Sequence, residues 1–248
     1  MFDLIKPGYV LRFGAAPAQP EGNLLTGNTT IHNWGIGRQD LNGIRCISHS
    51  SSIGKICSAV ANHFRQGGNV KSRSASYSYM GRRFRQVTFR QNHTIGQVNA
   101  DFVGYCDGQT NFVNSTRTVL SKDFSGCLMV VYTDTNVRRV AHVASSGVPH
   151  MDCKHSFLDH LLHDNNSRLI GWFQPFVGAR DNDRKVPTAT WLINNNYVTD
   201  VNCIVTFGVI TAANVAYTFD AFRPRNMGND WIVTHTAHKV MSPLYAFT

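Results

Sequence analysis

Long apolar runs are missing from this chain. No stretch approaches the ~20 residues that a helix needs to cross a bilayer, so no membrane span is expected. The first twenty residues, MFDLIKPGYVLRFGAAPAQP, lack a basic start followed by an apolar core. No cleaved secretory signal is expected from them. Acidic residues are scarce, 15 against 24 Lys and Arg, and the net charge of +9 points to an acidic partner. Cysteines are few, six in 248 residues, with no CxxC pair. That excludes a small disulfide scaffold, which is short and cysteine-dense. Repeats, low-complexity tracts and linkers are absent as well. No cofactor motif stands out, and none is expected to be needed.

What is present is a globular composition, 42% hydrophobic, long enough to bury a core in one domain over residues 1–248. Residues 1–30, with Pro7, Pro17 and Pro20, read as an irregular lead-in. The segment SSIGKICSAVANHFRQGG places Ile53, Ile56, Cys57, Val60 and Phe64 on one helical face. A second helix fits DCKHSFLDHLLHDNN, capped by Asp152, with Phe157, Leu158, Leu161 and Leu162 buried. In the last quarter Val205, Phe207 and Val209 alternate with smaller or polar residues. So do Val215, Tyr217, Phe219 and Ala221, and then Trp231 and Val233. The expected class is α+β: an antiparallel or mixed β-sandwich with two main helices.

One segment carries chemistry. In SGCLMVVYTDTNVRRVAHV, two strand-forming runs flank TDTN, a tight-turn sequence. With Asp134 and Thr135 as the loop residues, counting outward sets Cys127 opposite His142. Opposed residues of an antiparallel pair share a face, with Cβ atoms ~5 Å apart. A thiolate is a nucleophile, and a neighbouring imidazole can both favour it and pass a proton to a leaving group. Gly126 allows a sharp turn before Cys127, where backbone N–H groups can face an oxyanion. The bland reading is a buried small thiol beside a satisfied histidine, the usual fate of a free cysteine.

The segment resembles the catalytic stretch of the cytotoxic necrotizing factor family, in SGC before a strand and a histidine 15 residues after the cysteine. It is similar too to Burkholderia lethal factor 1 and to the chemotaxis-receptor glutamine deamidases. The likeness covers residues 121–145. It implies an α/β sandwich, a deamidase that converts a glutamine of a host protein to glutamate, Cys127 as nucleophile and His142 as base. In some relatives a threonine six positions before the cysteine completes the site; here that position is Ser121. In the necrotizing factors a backbone carbonyl from elsewhere takes that role. The resemblance further implies a bacterial toxin or effector, a hydrolase secreted or injected into the host cytoplasm without a cleaved signal. A Rho-type GTPase or a translation factor would be its target. An amine in place of water would make the same site a transglutaminase.

Other constellations compete. His150, Cys153, His155, His160 and His163 crowd one stretch, but without an established zinc spacing they read as a polar helix face, and no metal is expected. Lys71, Arg73, Arg82, Arg83, Arg85 and Arg90 interleave with Tyr77, Tyr79, Phe84 and Phe89. Such interleaving suits single-stranded nucleic acid, so a basic nucleic-acid-binding domain without catalysis is the rival reading. With the Cys127–His142 site, however, Arg82, Arg83 and Arg85 read better as a docking surface for an acidic protein substrate. A papain-like peptidase is disfavoured, because it sets its cysteine at a helix start with the histidine far away in sequence.

Overall fold

Val205, Phe207 and Val209 alternate because their strand has one face on a core and the other against a second layer. A computed structural model describes residues 2–13, 25–26, 39–47, 60, 94–105, 108–145, 152–225 and 230–243. Its strands are β1 (Val10–Phe13), β2 (Leu25–Thr26), β3 (Gln39–Ile47), β4 (Thr94–Phe102), β5 (Gln109–Asn114), β6 (Thr118–Lys122), β7 (Leu128–Asp134) and β8 (Val137–Val143). Helix α1 (Lys154–His163), β9 (Ser167–Phe173), α2 (Ala179–Asn194), β10 (Ile204–Ile210), β11 (Ala216–Phe222) and β12 (Asp230–Lys239) follow.

Two sheets result, so the α+β class is correct. The first runs β1-β12-β11-β10-β6-β4-β3 and curls until β3 pairs with β1. Only β4 and β6 within it are parallel. Where an antiparallel or mixed β-sandwich was expected, this sheet is barrel-like. The second sheet runs β2-β5-β8-β7-β9 and is antiparallel throughout. Phe207, Val209, Phe219, Ala221 and Val233 fill the inside of the curled sheet. Val119, Ile210 and Ala216 face outward and meet Val113, Val131 and Val140 of the second sheet. The far side of that second sheet, with Phe112, Val130 and Ala141, is covered by Phe157, Leu158 and Leu161 of α1. Arg138 clamps the layers: its guanidinium donates to Asn214 Oδ1 at 2.9 Å, the Ser115 carbonyl at 2.7 Å and the Thr211 carbonyl at 2.9 Å.

Several expectations shift. Residues 1–30 contain β1, a strand because β12 and β3 both pair with it. Helix 51–68 lies outside the described residues except Val60, which is helical and buried. In α1 the cap position falls on Cys153, yet Asp152 Oδ1 still accepts the Lys154 N–H at 2.9 Å. Leu162 is exposed rather than buried. Helix α2 was not foreseen, since Pro187 lies inside it and two of the four residues on its buried face, Asp181, Thr188, Ala189 and Leu192, are polar. Ala189 and Leu192 pack α2 against Val10, Phe222 and Ile232, and charge ties its first turns to the sheet. Arg184 pairs with Asp181 and with the buried Asp220 of β11. Lys185 bonds Thr206, whose hydroxyl donates to Asp220 at 2.8 Å.

Candidate active site

The hairpin of β7 and β8 turns at Thr135-Asn136, both with positive φ, at 48° and 66°. Such paired dihedrals match the twist of the flanking strands. The register therefore moves by two from the expected one: Asp134 pairs with Val137 and Met129 with His142. Continuing that count sets Cys127 opposite Ala144, so Cys127 and His142 are diagonal neighbours rather than directly opposed. A shift of two keeps the face. Cys127, Met129 and Val131 all pack into the core between the sheets.

His142 is held on three sides. Ser121 Oγ lies 2.7 Å from its Nδ1 and 2.6 Å from the Val103 carbonyl oxygen. The carbonyl can only accept, so the serine hydroxyl proton goes to Val103 and Nδ1–H must donate to Ser121. That fixes the tautomer. Nε2 then carries the lone pair. It is buried and has no hydrogen-bond partner among the described residues. Phe124 stacks on the ring, centroids 4.2 Å apart and planes 3° from parallel. Tyr105, 38% exposed, reaches from the surface to within 5.3 Å of the imidazole, centroid to centroid.

Cys127 follows Gly126, whose φ of 155° is a conformation that side-chain-bearing residues rarely adopt. Gln174 Nε2 donates to the Gly126 carbonyl at 2.9 Å and pins this corner. The Cys127 sulfur accepts the Ser145 N–H at 3.4 Å, while its thiol faces the Ser145 carbonyl at 3.9 Å. No hydrogen bond joins Cys127 to His142. Burial raises the thiol pKa, and the backbone N–H groups of Ser145, Ser125 and Cys127 itself counter it. Burial alone pushes His142 down to about 3. Both shifts favour a neutral thiol beside a neutral imidazole over a thiolate–imidazolium pair.

The arrangement thus holds a thiol whose sulfur accepts the Ser145 N–H and an imidazole whose basic nitrogen has no partner among the described residues. Both are shut in, Cys127 at 0% exposure and His142 at 1%. Arg82, Arg83 and Arg85 lie outside the described residues. Of the histidines of the 150–163 stretch, His150 lies outside the described residues, His160 lies 3.6 Å from Asp164, and His163 Nδ1 lies 2.7 Å from the Asp159 carbonyl. Among the described residues no group of three or more His, Cys, Asp or Glu side chains is placed to hold a metal ion.

Sequence reasoning missed Val103, Phe124 and Asn111. The available signal was Asn111 itself, a polar residue two before Val113 on a strand face turned to the core. Compared with known protein families, curated proteins and solved structures, the chain matches none.

Proposed function

We propose that the protein is a cysteine-dependent protein glutamine deamidase with Cys127 as nucleophile, His142 as base and Ser121 as the residue that orients the imidazole. The supporting observation is the relay from Val103 through Ser121 to His142, which leaves Nε2 unprotonated, buried and without a partner among the described residues, in the core that holds Cys127. A histidine kept only for packing would be expected to have both nitrogens satisfied, because an unmet buried acceptor costs about 1–3 kcal/mol. The serine hydroxyl and the backbone carbonyl, alternatives in the deamidases this segment resembles, act here in series.

The chemistry runs from the neutral pair. As the sulfur attacks the carboxamide carbon, its proton passes to Nε2 and the carbonyl π electrons move to oxygen. Collapse of the tetrahedral adduct breaks the C–N bond, and the Nε2 proton leaves with ammonia. Water, deprotonated by the same nitrogen, then hydrolyses the thioester. A toxin or effector that acts inside a host cell on a protein with an acidic surface accords with the net charge of +9. A necrotizing-factor-like fold is part of the same proposal.

Complete burial of both side chains favours a second reading, a structural core thiol beside a core histidine. Competitive alkylation separates the two. Cys203 is half-buried and Cys127 fully buried, so exposure alone makes Cys203 label first. The deamidase reading predicts that iodoacetamide modifies Cys127 of the native protein ahead of Cys203. Labelling in the order of exposure would leave the structural reading.

A further inference from the structure

Asn111 is the ladder partner of His142 on the adjoining strand, β5. Directly opposed residues project to one face with Cβ atoms ~5 Å apart, and Val113, two residues on, confirms that this face is the core between the sheets. Asn111 is 1% exposed. Its Nδ2 donates to the Gly104 carbonyl at 3.3 Å, and because that carbonyl can only accept, the amide cannot be flipped. Its Oδ1 is therefore the other end, buried and without a hydrogen-bond partner among the described residues. The same holds for Nε2 of His142. Two consecutive carbonyls, Val103 and Gly104, thus set the polarity of two ladder-paired side chains so that each leaves a bare acceptor on the same face of the sheet.

We propose that Asn111 selects the primary carboxamide of the substrate, with Oδ1 accepting a hydrogen bond from its –NH2 group next to His142 Nε2. The inference rests on the deamidase reading and adds a specificity residue to it. A primary amide has two N–H donors on the nitrogen that leaves. One fits Asn111 Oδ1, which holds the nitrogen near the imidazole that will protonate it. An ester has no donor there. The carboxylate product has none either, and its charge is repelled by the amide oxygen, so the contact that binds substrate opposes product. Burial sharpens the choice, since a site with an unmet polar group rejects a ligand that lacks its complement.

The test is alkylation of Cys127 in the intact protein by two neutral reagents of similar shape, iodoacetamide and methyl iodoacetate, each rate normalised to that of glutathione. The expected normalised ratio favours the amide by roughly tenfold or more. It falls to about one in Asn111→Leu, which fills the space without an acceptor. Asn111→Ser, too short to reach, gives the same reading should Asn111→Leu not fold. Selective Cys127 labelling with no amide preference, or a preference kept in the variants, overturns the role of Asn111 and leaves the deamidase reading standing. Cys127 reacting more slowly than Cys203 with both reagents overturns both.

Discussion

Ser121 Oγ bridges the Val103 carbonyl and His142 Nδ1, at 2.6 Å and 2.7 Å. Removing the hydroxyl strands a buried acceptor and a buried donor together. Ser121→Ala is expected to destabilise the fold by about 1–3 kcal/mol. It should slow Cys127 alkylation about tenfold without abolishing it, by freeing the imidazole to turn. Ser121→Thr keeps the hydroxyl and should restore most of both. Urea unfolding and alkylation kinetics on the three proteins check this; wild-type kinetics in Ser121→Ala would place the orienting group elsewhere.

The buried imidazole links stability to pH. With its folded pKa pushed down to about 3, His142 stays neutral in the native state while the unfolded chain takes up a proton below about 6.5. Stability should therefore fall as pH drops through that window, with this group adding a slope of up to about 1.4 kcal/mol per pH unit. His142→Phe, which keeps an aromatic ring against Phe124, should flatten the slope. Cys127 acts at the other end: its raised pKa means that the unfolded thiol ionises first, so stability also declines as pH rises above the ordinary thiol value. Denaturant midpoints from pH 4 to pH 10 would reveal both limbs.

Gly208 lies where the curled sheet touches the site. A methyl group added there would sit 2.9 Å from Met129 Sδ and 3.0 Å from both Phe124 Cε2 and Pro175 Cγ. The methionine can yield, but the proline and the stacked phenylalanine have little freedom. Gly208→Ala should cost about 1–3 kcal/mol and, by displacing Phe124 from the imidazole, slow Cys127 alkylation more than that of Cys203. Equal effects on the two thiols would mean that Phe124 only packs.

Asp220 anchors α2 from within the sheet. Its carboxylate, 2% exposed, receives Arg184 and Thr206 and lies 3.8 Å from the Lys185 ammonium. Asp220→Asn takes the nearest carboxylate from Lys185 and leaves Arg184 with Asp181 alone, at an expected cost of about 3 kcal/mol. Proteolysis within 179–194 should speed up with it. Unchanged stability would show that the ion pairs add little beyond the packing of Ala189 and Leu192.

How far the fold could be read from the sequence depended on how local its cause was. Strands β10, β11 and β12 could be read because their alternation is a property of each strand alone. The β7–β8 hairpin was visible, but its register was not, since it depends on Thr135 adopting a positive φ, a conformation that β-branched residues avoid. Strand β1 is short and flanked by punctuation, and it exists because two distant strands pair with it. Cys127 and His142 emerged from the hairpin pattern, and Ser121 from the family resemblance. Val103 and Asn111 stayed hidden because parallel pairing of β4 with β6 and the β5–β8 ladder, neither foreseen, bring them to the imidazole.

The central claim is that Cys127 and His142 remove the amide nitrogen of a glutamine in another protein. The most direct measurement is mass spectrometry of eukaryotic cytosol incubated with the wild-type protein and, in parallel, with Cys127→Ser. The account predicts a gain of ~1 Da, the mass change of amide-to-acid conversion, at a glutamine of a protein with an acidic surface, present with the wild type and absent with the variant. Identical glutamine masses in the two samples, or a gain that persists with Cys127→Ser, would contradict it.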